Sequence, residues 1–187
     1  FLPATKAVPK EMLPVVDRPL IQYAVDEALE AGIETMIFVT GRGKGAIEDH
    51  FDIAFELERT QADRGKSVAA LEGTRLTPGN AVFVRQQEPR GLGHAIWCAR
   101  DIVGNEPFAI ILPDELLVGR HKGCLAQMID QYEKVGGNLV CALEVPAEDT
   151  PSYGVIDPGV QDGVLTEVKG LVEKPALGTA PSNLMLP

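Results

Sequence analysis

Apolar residues recur along the chain with two spacings, one typical of helices and one typical of buried strands. Between positions 20 and 32, they fall at 20, 21, 24, 25, 28 and 29, which is one face of a helix that ends at Gly32. The run TMIFVT at positions 35–40 is followed by a glycine-containing loop, as in a strand buried on both faces. The pattern therefore predicts a helix followed by a strand.

The same alternation continues along the chain. A second helix is indicated by Ile47, Phe51, Ala54 and Phe55 on one face, and residues 61–80 are polar and glycine-containing, as in a surface excursion. Further elements are predicted in the order strand 81–85, helix 91–100, buried strand 108–112, helix 125–135 and strand 139–145. Strands that alternate with helices and are apolar throughout predict an α/β fold with a mostly parallel sheet flanked by helices.

The pattern changes after position 146. Short strand-like pieces at 153–156 and 164–172 are separated by glycine turns. We interpret them as an antiparallel addition to the same sheet, so that residues 1–187 form a single domain.

Composition and charge favour some classes of protein and argue against others. The 187 residues are 45% hydrophobic and carry a formal charge of -10, which fits a soluble domain and argues against a nucleic-acid partner. No apolar run approaches the roughly 18 residues that span a bilayer, so no membrane partner is expected. Three widely spaced cysteines, Cys98, Cys124 and Cys141, lie in apolar stretches and favour buried thiols in a reducing, cytoplasmic setting.

Charged residues near strand ends are candidates for chemistry, because open α/β sheets bind ligands at the carboxyl ends of their strands. Lys6 and Lys10 lie in a loop held extended by three prolines, where they are either a phosphate clamp or ordinary surface lysines. Asp114 directly follows the predicted strand 108–112, where a Mg²⁺ ligand and a simple turn residue are about equally favoured.

Several polar groups have both a functional and a structural interpretation. The amide of Gln86, or equally of Gln87, matches the N3–H and O4 edge of uracil, although either amide can simply face solvent. The glycines around His94 allow a ligand to approach the backbone, and Glu173 with Lys174 is either a sugar-phosphate contact or a surface ion pair. The sequence GRGKG at 41–45 resembles a phosphate loop only superficially, because it lacks the Walker spacing.

Taken together, the order and spacing of five segments resemble the bacterial UTP–glucose-1-phosphate uridylyltransferase family over nearly the whole chain. The segments are FLPATKAVPKEMLPVVDRPLIQY (1–23), RQQEPRGLGHA (85–95), ILPDELL (111–117), SYGVID (152–157) and VEKPALGTAPSNL (172–184). The resemblance implies a Rossmann-like nucleotidyltransferase fold and a homodimer or homotetramer. It also implies a glycine-rich phosphate loop before Phe1 and a further C-terminal segment with a second metal ligand, both outside this sequence.

The resemblance also implies residue roles, carried over motif by motif. Lys10 and Lys174 are the expected catalytic lysines, and the nucleotide contacts are Glu11, Gln86 and Gly91. Asp114 is the expected Mg²⁺ ligand, and the sugar contacts are Gly154, Glu173 and Lys174.

The implied reaction joins UTP and glucose-1-phosphate into UDP-glucose and pyrophosphate, for use in polysaccharide biosynthesis. The phosphate of glucose-1-phosphate attacks the α-phosphorus of UTP in line, without a protein nucleophile. Two alternatives stay open: a thymidylyltransferase that acts on glucose-1-phosphate, and an inactive nucleotide-sugar sensor.

Overall fold

The computed structural model describes residues 1–119 and 121–187 and divides the chain into two compact units, Phe1–Leu116 and Leu117–Pro187. In the first unit, two 3-10 turns (Ala4–Lys6 and Lys10–Met12) precede a short hairpin of β1 (Pro14–Val15) and β2 (Arg18–Pro19). The hairpin leads directly into the helix α1 (Leu20–Glu30). The predicted first helix is thus confirmed. Its buried face consists of Ile21, Gln22, Val25 and Ala28, which follow the 3.6-residue spacing.

A parallel strand pair forms the centre of the first unit. The strand β3 (Met36–Thr40) pairs in register with β4 (Ala81–Arg85), as the apolar runs predicted. The Phe38 ring lies between two others, because its centroid is 4.9 Å from those of both Phe83 and Phe51. This aromatic cluster fixes the β3–β4 pair against the helix that carries Phe51.

The second predicted helix is two helices in the structure. The helix α2 (Gly45–Phe51) buries Ile47 and Phe51, and α3 (Phe55–Asp63) begins after a short break. The expectation that Phe55 shares the buried face was wrong, since Phe55 is 62% exposed. Residues 52–54 interrupt the helix, so the residues of α3 are not on the face that one continuous helix would give them. The apolar spacing therefore does not define a single face across the break.

The first unit ends with α4 (Leu92–Cys98) and α5 (Arg100–Val103), which together occupy the predicted helix 91–100 and slightly more. The predicted strand 108–112 is not a strand in the structure, and Phe108 and Ile110 are 58% and 52% exposed. An extended segment becomes a strand only where a neighbouring strand forms backbone hydrogen bonds with it. The described sheets of this unit are the two-stranded pairs β1–β2 and β3–β4, and neither includes residues 108–112.

The second unit combines one long helix with an antiparallel sheet. The helix α6 (Cys124–Val135) confirms the prediction for 125–135. The sheet has the order β5-β8-β6-β7, and its strands are β5 (Leu143–Glu144), β6 (Gly154–Asp162), β7 (Leu165–Glu173) and β8 (Leu184–Leu186). The antiparallel pieces after position 146 are confirmed as β6 and β7, but they belong to a sheet of their own.

Two predicted parts of the sheets are smaller in the structure. The strand predicted at 139–145 is reduced to the two residues of β5, which pair with β8. The parallel part of the described sheets is the β3–β4 pair, which is smaller than the sequence suggested. The mixed α/β class itself is confirmed. Within the described ranges, none of the helices has the length and apolar character needed to cross a membrane.

Candidate functional site

The loops that follow β3 and β4 lie at the same edge of the sheet, because the two strands are parallel and in register. The backbone N–H of Gln86 donates to the Thr40 carbonyl at 2.8 Å, so the pairing continues one residue past β4. Ligands of open α/β sheets bind at this edge. The candidate residues of the first unit are therefore expected near this edge.

Lys10 and Asp114 form an ion pair although 104 residues separate them in sequence. Lys10 opens a 3-10 turn (Lys10–Met12) after the extended Pro9, and Asp114 lies in the turn that follows residues 108–112. The Lys10 Nζ is 2.5 Å from the Asp114 Oδ2, and the two side chains are 41% and 35% exposed. The Lys10 hydrogen bond holds the pKa of the Asp114 carboxyl below its ordinary value of 3.8, so Asp114 is ionised at neutral pH.

A second pair joins Glu11 and Lys44. Glu11 is buried, with 6% of its surface exposed, and its Oε1 accepts a hydrogen bond from the Lys44 Nζ. Its Oε2 is buried and has no hydrogen-bond partner among the described residues. Lys44 also helps to lower the pKa of Asp114, which makes the two ion pairs parts of one charge cluster.

The amide of Gln86 is held in one orientation by two neighbours. Its Nε2 donates to the Gly91 carbonyl at 3.1 Å and lies 3.0 Å from the His94 Nδ1. A backbone carbonyl can only accept, so the amide nitrogen must face Gly91, and the His94 Nδ1 must then accept the second hydrogen. No hydrogen bond to the Gln86 Oε1 is found within residues 1–119 and 121–187, so this oxygen remains available as an acceptor.

Gly91 has a backbone conformation that favours glycine. Its φ of 93° lies in the left-handed region, and it immediately precedes α4. Gln87, the alternative to Gln86, lies instead on a cavity of 270 Å³ that also contacts Arg85, Glu88, Arg90, His94 and Cys98. His94 belongs to both environments, because its Nδ1 lies beside the Gln86 amide and the residue also lines the cavity of Gln87.

In the second unit, the structure brings Gly154, Glu173 and Lys174 together. Gly154 pairs with Glu173 between β6 and β7, and a Cβ on Gly154 would lie only 3.1 Å from the Glu173 Oε2. Glycine therefore leaves room for the Glu173 carboxylate beside the strand. Lys174 has a φ of 46°, and its N–H donates to the Tyr153 carbonyl at 2.9 Å, which fixes where its side chain leaves the sheet.

Two residues in these contacts, Lys44 and His94, carry only a weak sequence signal. Lys44 lies in GRGKG, which follows a strand but lacks the Walker spacing, and only the fold pairs it with Glu11. His94 is part of the GLGH turn, but its contact with Gln86 depends on where α4 begins. Both residues follow a parallel strand, and this position is the sequence feature that points to them. The spacing of known motifs does not include it.

Asp114 is the residue predicted to bind Mg²⁺. In the ranges 1–119 and 121–187, no group of three or more His, Cys, Asp or Glu residues has the geometry of a metal site. Asp114 therefore provides one carboxylate rather than a complete protein site.

Comparison with known proteins identifies relatives along the whole chain. Residues 1–186 match the nucleotidyl transferase family. The UTP–glucose-1-phosphate uridylyltransferase of Komagataeibacter xylinus is 55% identical over 98% of this chain, and this chain spans 65% of that protein's length, just under two thirds.

Two solved structures are also similar over 100% of this chain. The UTP-bound UGPase from Acinetobacter baumannii has a TM-score of 0.91 and 41% identity, and the chain covers 67% of it. A UDP-glucose pyrophosphorylase complexed with UDP-glucose has a TM-score of 0.83 and 43% identity, with 68% covered. The chain belongs to the nucleotidyl transferase family, and the resemblance to the bacterial UTP–glucose-1-phosphate uridylyltransferases is confirmed.

Proposed function

We propose that this protein is a nucleotidyltransferase that forms UDP-glucose and pyrophosphate from UTP and glucose-1-phosphate. The observation that carries the proposal is the Lys10–Asp114 pair, in a chain 55% identical to a UTP–glucose-1-phosphate uridylyltransferase. A cation and an ionised carboxylate 2.5 Å apart are suited to hold a phosphate and the divalent cation that accompanies it. The relatives with bound UTP and bound UDP-glucose support the same substrates.

The chemistry needs positioning and charge compensation rather than a protein nucleophile. The attacking phosphate oxygen of glucose-1-phosphate is already largely ionised at neutral pH, since its second pKa is about 6. Its attack on the α-phosphorus of UTP breaks the bond to the β-phosphate and releases pyrophosphate. Lys10 compensates the negative charge of the transferring phosphoryl group, and Lys174 compensates the charge of the sugar phosphate.

Mg²⁺ is the cofactor that we propose for this reaction, with Asp114 as one of its ligands. The lowered pKa of Asp114 keeps a hard oxygen ligand available, and magnesium commonly takes one or two carboxylates together with substrate phosphates and waters. When bound, the cation would reduce the charge of the triphosphate. Lys10 and Asp114 would then each keep a partner of opposite charge.

Base selection is assigned to Gln86. Its Oε1 is the group left free by the contacts with Gly91 and His94, and it can accept the N3–H of uracil. Cytosine presents an unprotonated N3 acceptor at this position, so the same oxygen would disfavour CTP. Thymine has the same N3–H as uracil, so dTTP is the nucleotide that this contact does not reject.

The sugar and its phosphate are assigned to the second unit. The Glu173 carboxylate beside Gly154 can accept hydrogen bonds from sugar hydroxyls, and the Lys174 ammonium can bind the phosphate. Their mutual Nζ–Oε1 distance is 3.7 Å, and both side chains are more than half exposed, so their pairing costs little to break.

Formation of UDP-glucose tests the proposal directly. The protein is incubated with glucose-1-phosphate, Mg²⁺ and each of UTP, dTTP, CTP and ATP, and both pyrophosphate and nucleotide-sugar are measured. We expect UTP to have the highest kcat/KM. Preferred use of dTTP would favour a thymidylyltransferase, equal use of ATP would contradict the assigned base contact, and binding of UDP-glucose without turnover would indicate a sensor.

Assembly and location belong to the same proposal. A homodimer or homotetramer in the cytoplasm, with no nucleic-acid or membrane partner, is what the relationship to these enzymes implies. Light scattering during size-exclusion chromatography measures the assembly, and a monomeric mass would contradict it.

A further inference from the structure

Two cysteine thiols of the second unit are in contact with each other. The Cys124 Sγ lies 3.4 Å from the Cys141 Sγ, although the two residues are 17 positions apart in sequence. Both side chains are half-buried, and the structure has them as thiols rather than as a disulfide. The contacts assigned above to the nucleotide, the metal and the sugar do not involve this pair.

The fold of the second unit explains how the two thiols meet. Cys124 is the first residue of α6, which has 12 residues and is therefore about 18 Å long. The chain reverses at Gly136 and Gly137, whose φ values are 64° and 74°. Residues 137–141 span about 17 Å when they are extended, which is enough to return to the first turn of the helix. Cys141 therefore reaches Cys124.

Contact between the two thiols favours a disulfide over other thiol products. A disulfide bond is about 2.0 Å long, so the two sulfur atoms have to approach each other by roughly 1.4 Å. Once one thiol has formed a mixed disulfide with a small molecule, the second thiol is already beside the sulfur that it must attack. Because this second step is intramolecular, it is faster than the attack of another small molecule.

We propose that Cys124 and Cys141 are a reversible redox site that reacts with low-molecular-weight disulfides. The thiolate of one cysteine attacks a sulfur of the small disulfide and releases a first small thiolate. The second cysteine loses its proton, attacks the protein sulfur of the mixed disulfide and releases a second small thiolate. In total, the two protein thiols lose two electrons and two protons, and the small disulfide gains them and becomes two thiols.

The disulfide connects α6 to the sheet that contains a candidate sugar residue. Leu143, two residues after Cys141, pairs with Met185 of β8. The next residue of β8, Leu186, pairs with Gly154 of β6. A bond at Cys141 therefore joins the start of α6 to the chain that continues into this sheet. A cross-link also restricts the unfolded chain, so we expect the oxidised protein to unfold at a higher temperature.

Mass spectrometry after exposure to glutathione disulfide is the primary test. The wild-type protein and the single variants Cys98→Ser, Cys124→Ser and Cys141→Ser are incubated with it, alkylated and digested with trypsin, which cleaves after Lys134 between the paired cysteines. In the wild type and in Cys98→Ser, we expect a disulfide that links the two peptides on either side of this cleavage. In the other two variants, we expect the remaining partner to carry a glutathionyl group, since no second thiol displaces it.

Cys98, in the first unit, is the control within the same chain. We expect the peptide pair linked through Cys124 and Cys141 to be at least ~10-fold more abundant than any pair linked through Cys98, because only the first exchange is intramolecular between thiols in contact. Glutathione disulfide is used instead of a peroxide because the Met128 Sδ lies 4.0 Å from the Cys124 Sγ, and a peroxide also oxidises thioethers.

Three results would overturn the proposal: a glutathionyl group on both cysteines of the wild type, no modification of either, or a yield through Cys98 equal to that of the pair. Dithiothreitol should restore both thiols, and a cross-link that resists it would contradict reversibility. Circular dichroism checks that the serine variants are folded. These measurements do not depend on turnover, so a protein that forms no UDP-glucose contradicts the proposed function and leaves this inference standing.

Thermal unfolding tests the expected effect of the cross-link. Oxidation should raise the melting temperature of Cys98→Ser by about 5 °C or more, and it should not raise that of the double variant Cys98→Ser/Cys141→Ser, which has no partner for Cys124. Equal shifts in both proteins, or no shift in either, would overturn the stabilising role of the disulfide.

Discussion

At the scale of single residues, the candidate site consists of polar groups that hold one another in place before any ligand arrives. Lys10 is bonded to Asp114, Lys44 to Glu11, and the amide of Gln86 to Gly91. A pair as exposed as Lys10–Asp114 contributes about 0–1 kcal/mol to stability. Its main effect is therefore on the position and ionisation of the two groups.

Lys10→Ala should lower kcat by at least ~100-fold, because it removes a cation from the transferring phosphate, a loss on the scale of one electrostatic stabiliser. The melting temperature should change little, since the pair is partly exposed. Steady-state kinetics and thermal unfolding measure the two effects. Lys66→Ala, the same change at an exposed position, is the control, and near-normal turnover of Lys10→Ala would rule out the assigned role.

Gln86→Leu and Gln87→Leu form a matched pair that tests base selection. Loss of the Gln86 acceptor should lower kcat/KM for UTP by about 10–100-fold and reduce the preference for UTP over CTP, because the N3–H of uracil loses its partner. Gln87, on the neighbouring cavity, should be replaceable without this effect. A larger loss in Gln87→Leu would transfer the base contact to that residue.

At the scale of elements, a buried polar contact joins α1 to α2. The Gln22 Nε2 donates to the Asp26 Oδ1 and to the Gly73 carbonyl, so its Oε1 is left to accept from the His50 Nε2 at 2.8 Å. Gln22 is only 4% exposed. Burial lowers the pKa of His50 below its ordinary value of 6.5, which means that the fold favours the neutral imidazole.

His50→Gln should make stability less dependent on pH. Because the pKa of His50 is lowered by folding, the unfolded chain binds its proton more tightly, and the contribution of neutral His50 is complete above pH 6.5 and lost as pH falls toward the folded pKa. Urea unfolding at a series of pH values from 7.5 down to 5 should show a steeper loss in the wild type than in His50→Gln. The exposed His121→Gln is the control, and parallel curves for all three proteins would refute the argument.

Elements with an unbroken pattern could be predicted from the sequence, and elements that depend on a partner could not. Periodicity located α1 and α6 closely, and apolar runs located β3 and β4. The run at 108–112 is equally apolar, but a strand also needs a hydrogen-bonded neighbour, which local sequence does not encode.

The site was predictable to the extent that it lies in continuous motifs. Lys10, Gln86 and Asp114 lie in loops and at strand ends that the sequence predicts, and in the structure Lys10 bonds to Asp114. The partners Lys44 and His94 follow from side-chain contacts across loops, which spacing along one chain does not reveal.

At the scale of the whole molecule, the two compact units have different proposed tasks. The first, Phe1–Leu116, contains the candidate nucleotide and metal residues, and the second, Leu117–Pro187, contains those for the sugar and its phosphate. This division has a kinetic consequence. Variants in one unit should change the parameters of one substrate more than those of the other.

Lys174→Ala should raise KM for glucose-1-phosphate by about 10-fold or more, because it removes a direct phosphate contact, and should change KM for UTP much less. Its catalytic role also predicts a lower kcat. Two-substrate kinetics separate these effects, with Lys169→Ala, an exposed lysine of β7, as the control. An equal change in both KM values would contradict the division of tasks.

The pairing of Lys10 with Asp114 and of Lys44 with Glu11 has a consequence for which anions can enter. A bare anion must compete with a resident carboxylate for each of these lysines, so its binding is an exchange of partners with little net gain. An anion that carries a divalent cation provides a new partner for both groups: the anion pairs with the lysine, and the cation pairs with the displaced carboxylate. If the proposed function holds, the resting protein thereby discriminates a metal-chelated nucleotide from the many other anions of its surroundings.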